Sequence, residues 1–446
     1  MTRFTAIGPR DLPTLPALQR LSPATRAEMV RVAHVLPFRA NRYVVDELID
    51  WTRVPDDPMF QLTFPQPDML AASDRARLAQ AEATGDPAML AATVRAIQRR
   101  LNPHPAGQTS LNVPTLNGQP LTGLQHKYRE TVLFFPAQGQ TCHAYCSYCF
   151  RWPQFVGLDD LKFATRETDE LVTYLRAHPG VTSVLVTGGD PMIMRAPLLR
   201  RYLEPLLDVP SLASIRIGTK SVAYWPHRFV EDEDADDVLR LFEQVTRRGK
   251  TLALMAHYSH PRELATPTAR RALARILETG AVVRCQAPLI RHVNDDPRVW
   301  SELWRTEVQL GAVPYYMFVA RDTGARRYFE VPLARAWQIY RDAVSSVSGL
   351  ARTVRGPSMS ATPGKVVIDG IADIRGEQVF ALRLLQARDP AWVGRPFFAK
   401  LDRAAAWFDE LRPAFDEPRW FFEEEEEDED KPTRRGRLLP VIEGAA

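Results

Sequence analysis

The chain has 446 residues, 45% hydrophobic and 25% charged, with a formal net charge of +3. At about 150 residues per domain, this length fits two or three domains or one large barrel with extensions, and so small a charge gives no global signal for nucleic acid. No apolar run approaches the roughly 20 residues needed to span a membrane, and the start "MTRFTAIGPRDLP" lacks an apolar signal-peptide core, so a cytoplasmic protein with neither membrane nor nucleic-acid partners is expected.

In chain order, residues 1–125 read as a mainly helical, proline-punctuated region. "SPATRAEMVRVAHVL" and "DRARLAQAEATGDPAMLAATVRAIQRRL" carry helical apolar spacing, separated by the loop "RVPDDPMFQLTFPQP". Residues 126–372 change texture to strands alternating with helices. The strands are "TVLFFP", "VTSVLV", "SIRIGT", "TLALMAHY", "AVVRCQAPLI" and "VPYYMFV", and amphipathic stretches such as "DADDVLRLFEQVTRRG" lie between them. Parallel strands need crossover helices, so the pattern predicts an α/β fold with a partial (β/α)6 barrel, TIM-like, flanked by N- and C-terminal extensions. A doubly wound sheet is the competing topology. In either, chemistry collects where the strands end. Residues 373–446 read as a helical segment, "PAWVGRPFFAKLDRAAAWFDELRPAF", followed by a disordered tail around "EEEEEDEDKPTRRGR".

Three of the four cysteines, Cys142, Cys146 and Cys149, fall on the loop after the first strand. Clustered thiols in a reducing compartment read as metal-binding or catalytic rather than as a disulfide framework. Cys285 sits alone in an apolar strand and reads as a small core residue. Three thiolates leave a zinc shell incomplete, with His143 or Cys285 as candidate fourth ligands. A redox pair needs only C-x2-C. An iron–sulfur cluster held by three cysteines leaves one iron open to an outside ligand.

The spacing C-x3-C-x2-C, with Tyr148 ahead of the last cysteine and the loop following the first barrel strand, resembles the signature of the radical S-adenosylmethionine (SAM) enzymes. That resemblance implies a [4Fe–4S] cluster whose fourth iron chelates SAM, and cleavage of SAM to a 5′-deoxyadenosyl radical that abstracts hydrogen. It also implies an electron donor such as flavodoxin or ferredoxin. "VTGGDPM" after the second strand is similar to the motif that holds the SAM amino group. Gly188 and Gly189 then allow close backbone approach and Asp190 accepts from the ammonium.

A narrower resemblance, to the lysine 2,3-aminomutase family, rests on "GLQHKYRETVLFF", "SIRIGTKSVAYWPHRF", "AHYSHPREL", "QAPLIRHVNDD" and "PYYMF" in this order, over about residues 40–370. It implies a pyridoxal phosphate (PLP) enzyme that moves the α-amino group of an amino acid to the β-carbon. By the same resemblance Arg151 grips the substrate carboxylate, Lys365 is the PLP lysine, and His257 and Gln286 lie by the SAM nucleoside. The chain also departs from the pattern. "RWPQF" replaces a run of arginines, a single glycine precedes Lys365, and Thr131 stands where a phosphate-holding arginine is expected, with Lys127 and Arg129 nearby. Arg321 stands where lysine-using relatives carry an aspartate, Asp322 being adjacent, and "RGPSMSATPGK" lacks their second acid. A pocket without those carboxylates disfavours a cationic tail and suits an acidic or neutral amino acid. The cysteine-rich zinc segment of lysine-type enzymes is absent, so any homo-oligomer forms without it. Two other readings stay open here: a radical SAM enzyme without PLP, and a non-catalytic metal-cluster scaffold.

Overall fold

The six apolar runs become six parallel strands of one sheet. They are β1 (Thr131–Phe134), β2 (Ser183–Val186), β3 (Ser214–Thr219), β4 (Thr251–His257), β5 (Val282–Leu289) and β6 (Val313–Val319). This computed structural model describes residues 3–104, 109–157 and 162–423; the acidic run and basic residues read as a tail from the sequence lie outside them. Each strand hydrogen-bonds to the next in sequence, and each crossover carries a helix, from Thr168–Ala177 through Pro297–Gln309. A doubly wound sheet reverses its strand order at a switch point. Here the order never reverses, so every crossover advances the same way and the sheet curls as a partial barrel.

Strand β3 alternates part-buried and buried residues, "iBiBiB" over Ser214–Thr219, and β5 and β6 begin the same way, because helices cover one face and the barrel interior lies on the other, whereas β4 is buried on both faces from Leu252 to Ala256. The crossover helices are strongly amphipathic for the same reason. Ala235–Arg247, for example, buries Val238, Leu241, Phe242 and Val245 on one side.

The sheet is longer than expected. A seventh parallel strand, β7 (Arg355–Ser360), joins β6, and three antiparallel strands follow: β8 (Gly364–Ile374), β9 (Glu377–Ala387) and β10 (Pro396–Lys400). On the other side an antiparallel strand, Leu124–Tyr128, edges β1. The helical reading of "PAWVGRPFFAKLDRAAAWFDELRPAF" is therefore corrected: Pro396–Lys400 is a strand paired to β9, and short turns surround it. Gly394 and Pro396 interrupt helical geometry, and Phe397, Trp407, Phe408 and Trp420 close a second hydrophobic cluster over the antiparallel strands. In the "RAAAW" stretch the carboxylates of Asp402 and Glu410 take the backbone N–H groups that a helix would have used.

The N-terminal region folds as helices Pro23–Val35, Ala72–Ala83 and Pro87–Leu101, the last two split at Gly85. Its apolar side chains join those of the barrel in one continuous cluster running from Ile7 to Val354. Among the described residues no helix is long and apolar enough to cross a membrane.

Candidate active site

The cysteine loop leaves the end of β1 and is held in place from outside the barrel. Tyr145 N donates to Arg39 O at 2.8 Å, Ser147 N to Leu62 O at 3.0 Å, and Asn41 Nδ2 to His143 O at 3.1 Å. The N-terminal region thus acts as the wall against which the thiols are set. Cys149 N donates to Cys146 O at 3.0 Å, closing a turn that aims both side chains inward. All three cysteines are part-buried and burial raises their thiols, that of Cys149 to about 12.

The spread of the thiols bears on what they could hold. Among the described residues, His104, Asp322 and Asp409 form the one trio of His, Cys, Asp or Glu ligand atoms lying within 4.8 Å of one another. The three thiols are not that close. A single zinc ion with bonds of ~2.3 Å needs its sulfurs roughly 3.8 Å apart. Such a spread does not suit one zinc ion held by all three. Neither candidate fourth ligand is free: His143 Nδ1 lies 2.8 Å from Ser221 Oγ in a buried niche, and Cys285 is buried against Glu307.

Tyrosines crowd Cys146. Its Sγ lies 3.5 Å from the Tyr224 hydroxyl, and the Tyr148 hydroxyl engages Cys146 and Ser259. Beneath them Lys220 Nζ and Glu263 form a buried ion pair at 2.6 Å, with Lys220 also donating to His257 O at 3.1 Å. His257 and Gln286 stand opposite each other on β4 and β5, their Nε2 atoms 2.8 Å apart. Burial and Lys220 hold His257 neutral, its pKa lowered to about 3. The Gln286 amide then donates and His257 Nε2 accepts.

The glycine motif does something the sequence does not disclose. A Cβ on Gly189 would come within 2.6 Å of the backbone N and O of Thr141, and one on Gly188 within 2.2 Å of Gln140. Gly189 therefore lets the loop after β2 lie backbone to backbone on the segment just ahead of Cys142, while Gly188 makes room for the Gln140 side-chain amide, and Asp190 N donates to Thr141 O at 2.8 Å. Gly189→Ala is expected to destabilise the protein by about 1–3 kcal/mol through this overpacking. Unchanged thermal unfolding and iron content in that variant would contradict it.

Asp190 takes a different part from the one expected. Its carboxylate is 2% exposed and accepts from Met192 N, Thr219 Oγ1, Lys220 N, Ser221 N and Ser221 Oγ at 2.8–3.0 Å. With its lone pairs so engaged, Asp190 braces the loop after β2 to the loop after β3 and has no oxygen to spare for an external ammonium.

Arg151 directly follows the cluster loop. It is 9% exposed and packs its guanidinium 4.1 Å over Phe135, while Nη1 is shielded from solvent with no hydrogen-bond partner. Burial lowers its pKa to about 10. Orphaned buried donors are costly, so this nitrogen marks a place for an incoming acceptor. Arg321, after β6, is exposed, 5.1 Å from the ring of Phe150, which also lies 5.6 Å from the Arg151 guanidinium. The adjacent acid turns away: Asp322 pairs with His104 at 3.2 Å. Trp152, the first residue of the departing "WPQF", donates from Nε1 to Thr323 Oγ1 at 3.0 Å and ties the cluster loop to the loop bearing Arg321.

Lys365, the second residue of β8, points into the barrel. Its Nζ lies 4.1 Å over Tyr316 and 5.5 Å from the Phe318 ring. Ring contact favours an ammonium, but burial and the charges of Arg355, Arg216 and Arg321 outweigh it and lower the amine to about 7. Lys127 donates to Ala361 O at 2.6 Å beside the same turn, where burial pushes the pKa of its amine well below normal. The interior is thus rich in cations and aromatic rings. Sequence reasoning missed Arg216, Arg355, Tyr224 and the Lys220–Glu263 pair. The alternation of the strands was the available signal, since it places Arg216 on the inner face of β3.

No protein-family model matches the chain. It is 30% identical over 394 residues, 88% of this chain and 92% of the other, to a protein of Aquifex aeolicus named "Putative L-lysine 2,3-aminomutase". It is 27% identical over 230 residues to the L-lysine 2,3-aminomutase of Clostridium subterminale, covering 52% of each chain, and 27% identical over 247 residues to that of Escherichia coli, covering 55% and 68%. Among solved structures, a radical SAM methyltransferase of Kitasatospora setae aligns over 55% of this chain and 49% of its own with a TM-score of 0.31 and 16% identity.

Proposed function

The chain belongs to the lysine 2,3-aminomutase family of radical SAM enzymes, and from that premise we propose that it moves the α-amino group of an acidic or neutral amino acid to the β-carbon. The change is an isomerisation. A C–N bond at Cα breaks and one at Cβ forms, a hydrogen moves from Cβ to Cα, and nothing is oxidised overall.

When bound, a [4Fe–4S] cluster with SAM supplies a hydrogen-abstracting radical, and PLP supplies a carbonyl for the amine with a conjugated ring to delocalise an unpaired electron. Cys142, Cys146 and Cys149 would hold three irons, with Tyr224 placed to donate to the Cys146 sulfur. The loop of Gly188 and Gly189, locked to the cysteine segment, would lie beside SAM, and His257 with Gln286 would offer polar edges to its nucleoside. An electron donor such as flavodoxin or ferredoxin would reduce the cluster.

Lys365 carries the reading. An amine near pKa 7 inside the barrel has a large unprotonated fraction near neutrality, able to attack a carbonyl, which an exposed lysine lacks. Arg151 is the candidate partner of the substrate α-carboxylate, its Nη1 lacking any other acceptor. Arg321, across Phe150, is suited to a second carboxylate and repels a cationic tail.

The test is anaerobic reconstitution with iron, sulfide and PLP, then borohydride reduction. About four irons per chain and a pyridoxyl group fixed on Lys365, located by peptide mass spectrometry, are expected. A cluster-loaded protein that fixes no pyridoxyl group would overturn the PLP-dependent reading.

A further inference from the structure

The resemblance expects a phosphate-holding arginine at position 131, and this chain has a threonine there, with Lys127 and Arg129 as neighbouring cations. The structure separates those two. Arg129 is exposed and lies against Gly180, in the turn before β2. Lys127 spends its ammonium on Ala361 O at 2.6 Å. The guanidinium that reaches Thr131 comes from elsewhere: Arg216, the third residue of β3, sets Nη2 3.3 Å from Thr131 Oγ1.

The register explains how. Thr131 pairs with Ser183 and Ser183 with Ser214, so Arg216 stands one inward-facing position further along β3 and its side chain runs back across β2. A short residue at 131 leaves that path open. Arg216 Nε is shielded from solvent and has no hydrogen-bond partner, and no carboxylate contacts the group among the described residues. Arg355 stacks 4.3 Å over both Tyr315 and Tyr316, the two tyrosines that also neighbour Arg216. Lys365 Nζ sits over Tyr316. Two cations and a hydroxyl therefore gather within reach of the amine, and at least one donor is unspent.

We infer that Arg216, with the Thr131 hydroxyl beside it and Arg355 across the tyrosines, is the anchor for the phosphate of PLP, so that the anchoring arginine has moved from β1 to β3. The inference rests on the PLP-dependent reading above. A phosphate monoester carries a charge of about −1.5 to −2 near neutrality, which suits two guanidinium groups.

The test compares PLP with pyridoxal, which keeps the aldehyde and lacks the phosphate. Both are titrated into the reconstituted full chain and read as pyridoxyl fixed on Lys365 by borohydride. Wild type is expected to prefer PLP by about 100-fold, the scale of truncating one side of a buried charge pair. Arg216→Met, which keeps the packing of an unbranched side chain, should lose that preference while pyridoxal labelling, compared on the high-pH plateau where loss of the Arg216 charge no longer alters the Lys365 amine, stays within about threefold. Inorganic phosphate should compete with PLP in wild type and not in the variant. Thr131→Arg added to Arg216→Met should restore the preference. Should Arg216→Met fail to fold, Thr131→Glu serves instead, placing a carboxylate on the guanidinium and removing the preference for PLP. A folded Arg216→Met that still favours PLP as wild type does overturns the inference. A wild type that labels with pyridoxal and PLP equally overturns it too. A wild type labelled by neither overturns the reading beneath it.

Discussion

Lys365→Ala will bind iron and sulfide as wild type does and will retain no PLP after borohydride and gel filtration. The argument is positional. Lys365 stands at the junction of β7 and β8, where the barrel's parallel strands give way to the antiparallel set, and its side chain turns inward over Tyr316. The cysteine loop is held by Arg39, Asn41 and Leu62 of the N-terminal region and makes no hydrogen bond to Lys365, so the cluster does not depend on that lysine. The loss should be complete, because a Schiff base needs this amine and the nearest alternative, Lys127, is occupied by Ala361 O. The pH dependence follows from the same surroundings. The folded-state amine titrates near 7 rather than at 10.5, so labelling of wild type should rise as pH increases through about 7 and level off above it. Removing a neighbouring cation, as in Arg355→Met, should move that midpoint upward, since Arg355 is one of the charges that disfavour the ammonium. Labelling that rises only near pH 10 would place Lys365 in solvent and contradict the geometry.

Arg151→Met is the second large effect. The guanidinium is buried against Phe135 with one nitrogen unpartnered, an arrangement that is costly in the free protein and repaid only when an acceptor arrives. Truncating one partner of such a pair is expected to lower kcat/KM by about 10²- to 10³-fold. Lysine at the same position should recover little, since a single ammonium cannot reproduce a bidentate fork. Iron content and PLP labelling should be unchanged, which separates loss of substrate from loss of cofactor. If kcat/KM stays within a few-fold of wild type, Arg151 is an arginine that fastens the loop and nothing more.

Much of the fold is written in local pattern. The six barrel strands are short apolar runs of four to eight residues set between amphipathic helices, and each was recognisable from its own composition. The antiparallel strands were not. "PFFAK" and the surrounding alanines and aromatics are ambiguous by periodicity, and what decides them is the long-range cluster of Phe397, Trp407, Phe408 and Trp420. The site divides similarly. The cysteine spacing, Arg151 and Lys365 stand out in the sequence because each belongs to a motif that the resemblance ties to chemistry. The task of Asp190 was not legible, since five donors from the loops after β2 and β3 converge on it only after folding. Arg216 was hidden for the same reason: its neighbour Thr131 is 85 residues away in sequence.

The helices before residue 102 illustrate how function and stability share contacts. Arg39 and Leu62 hold the cysteine loop through their carbonyls and Asn41 through its side-chain amide, and the same segment is continuous with the barrel core. A change there should register in iron content before it registers in substrate affinity.

The most direct measurement is product analysis on the reconstituted enzyme with SAM, a strong reductant and separate acidic, neutral and basic amino acids. Conversion of an acidic or neutral amino acid to its β-amino isomer, with lysine left unchanged, is the predicted result. SAM cleaved to 5′-deoxyadenosine while every amino acid stays as it was would contradict it.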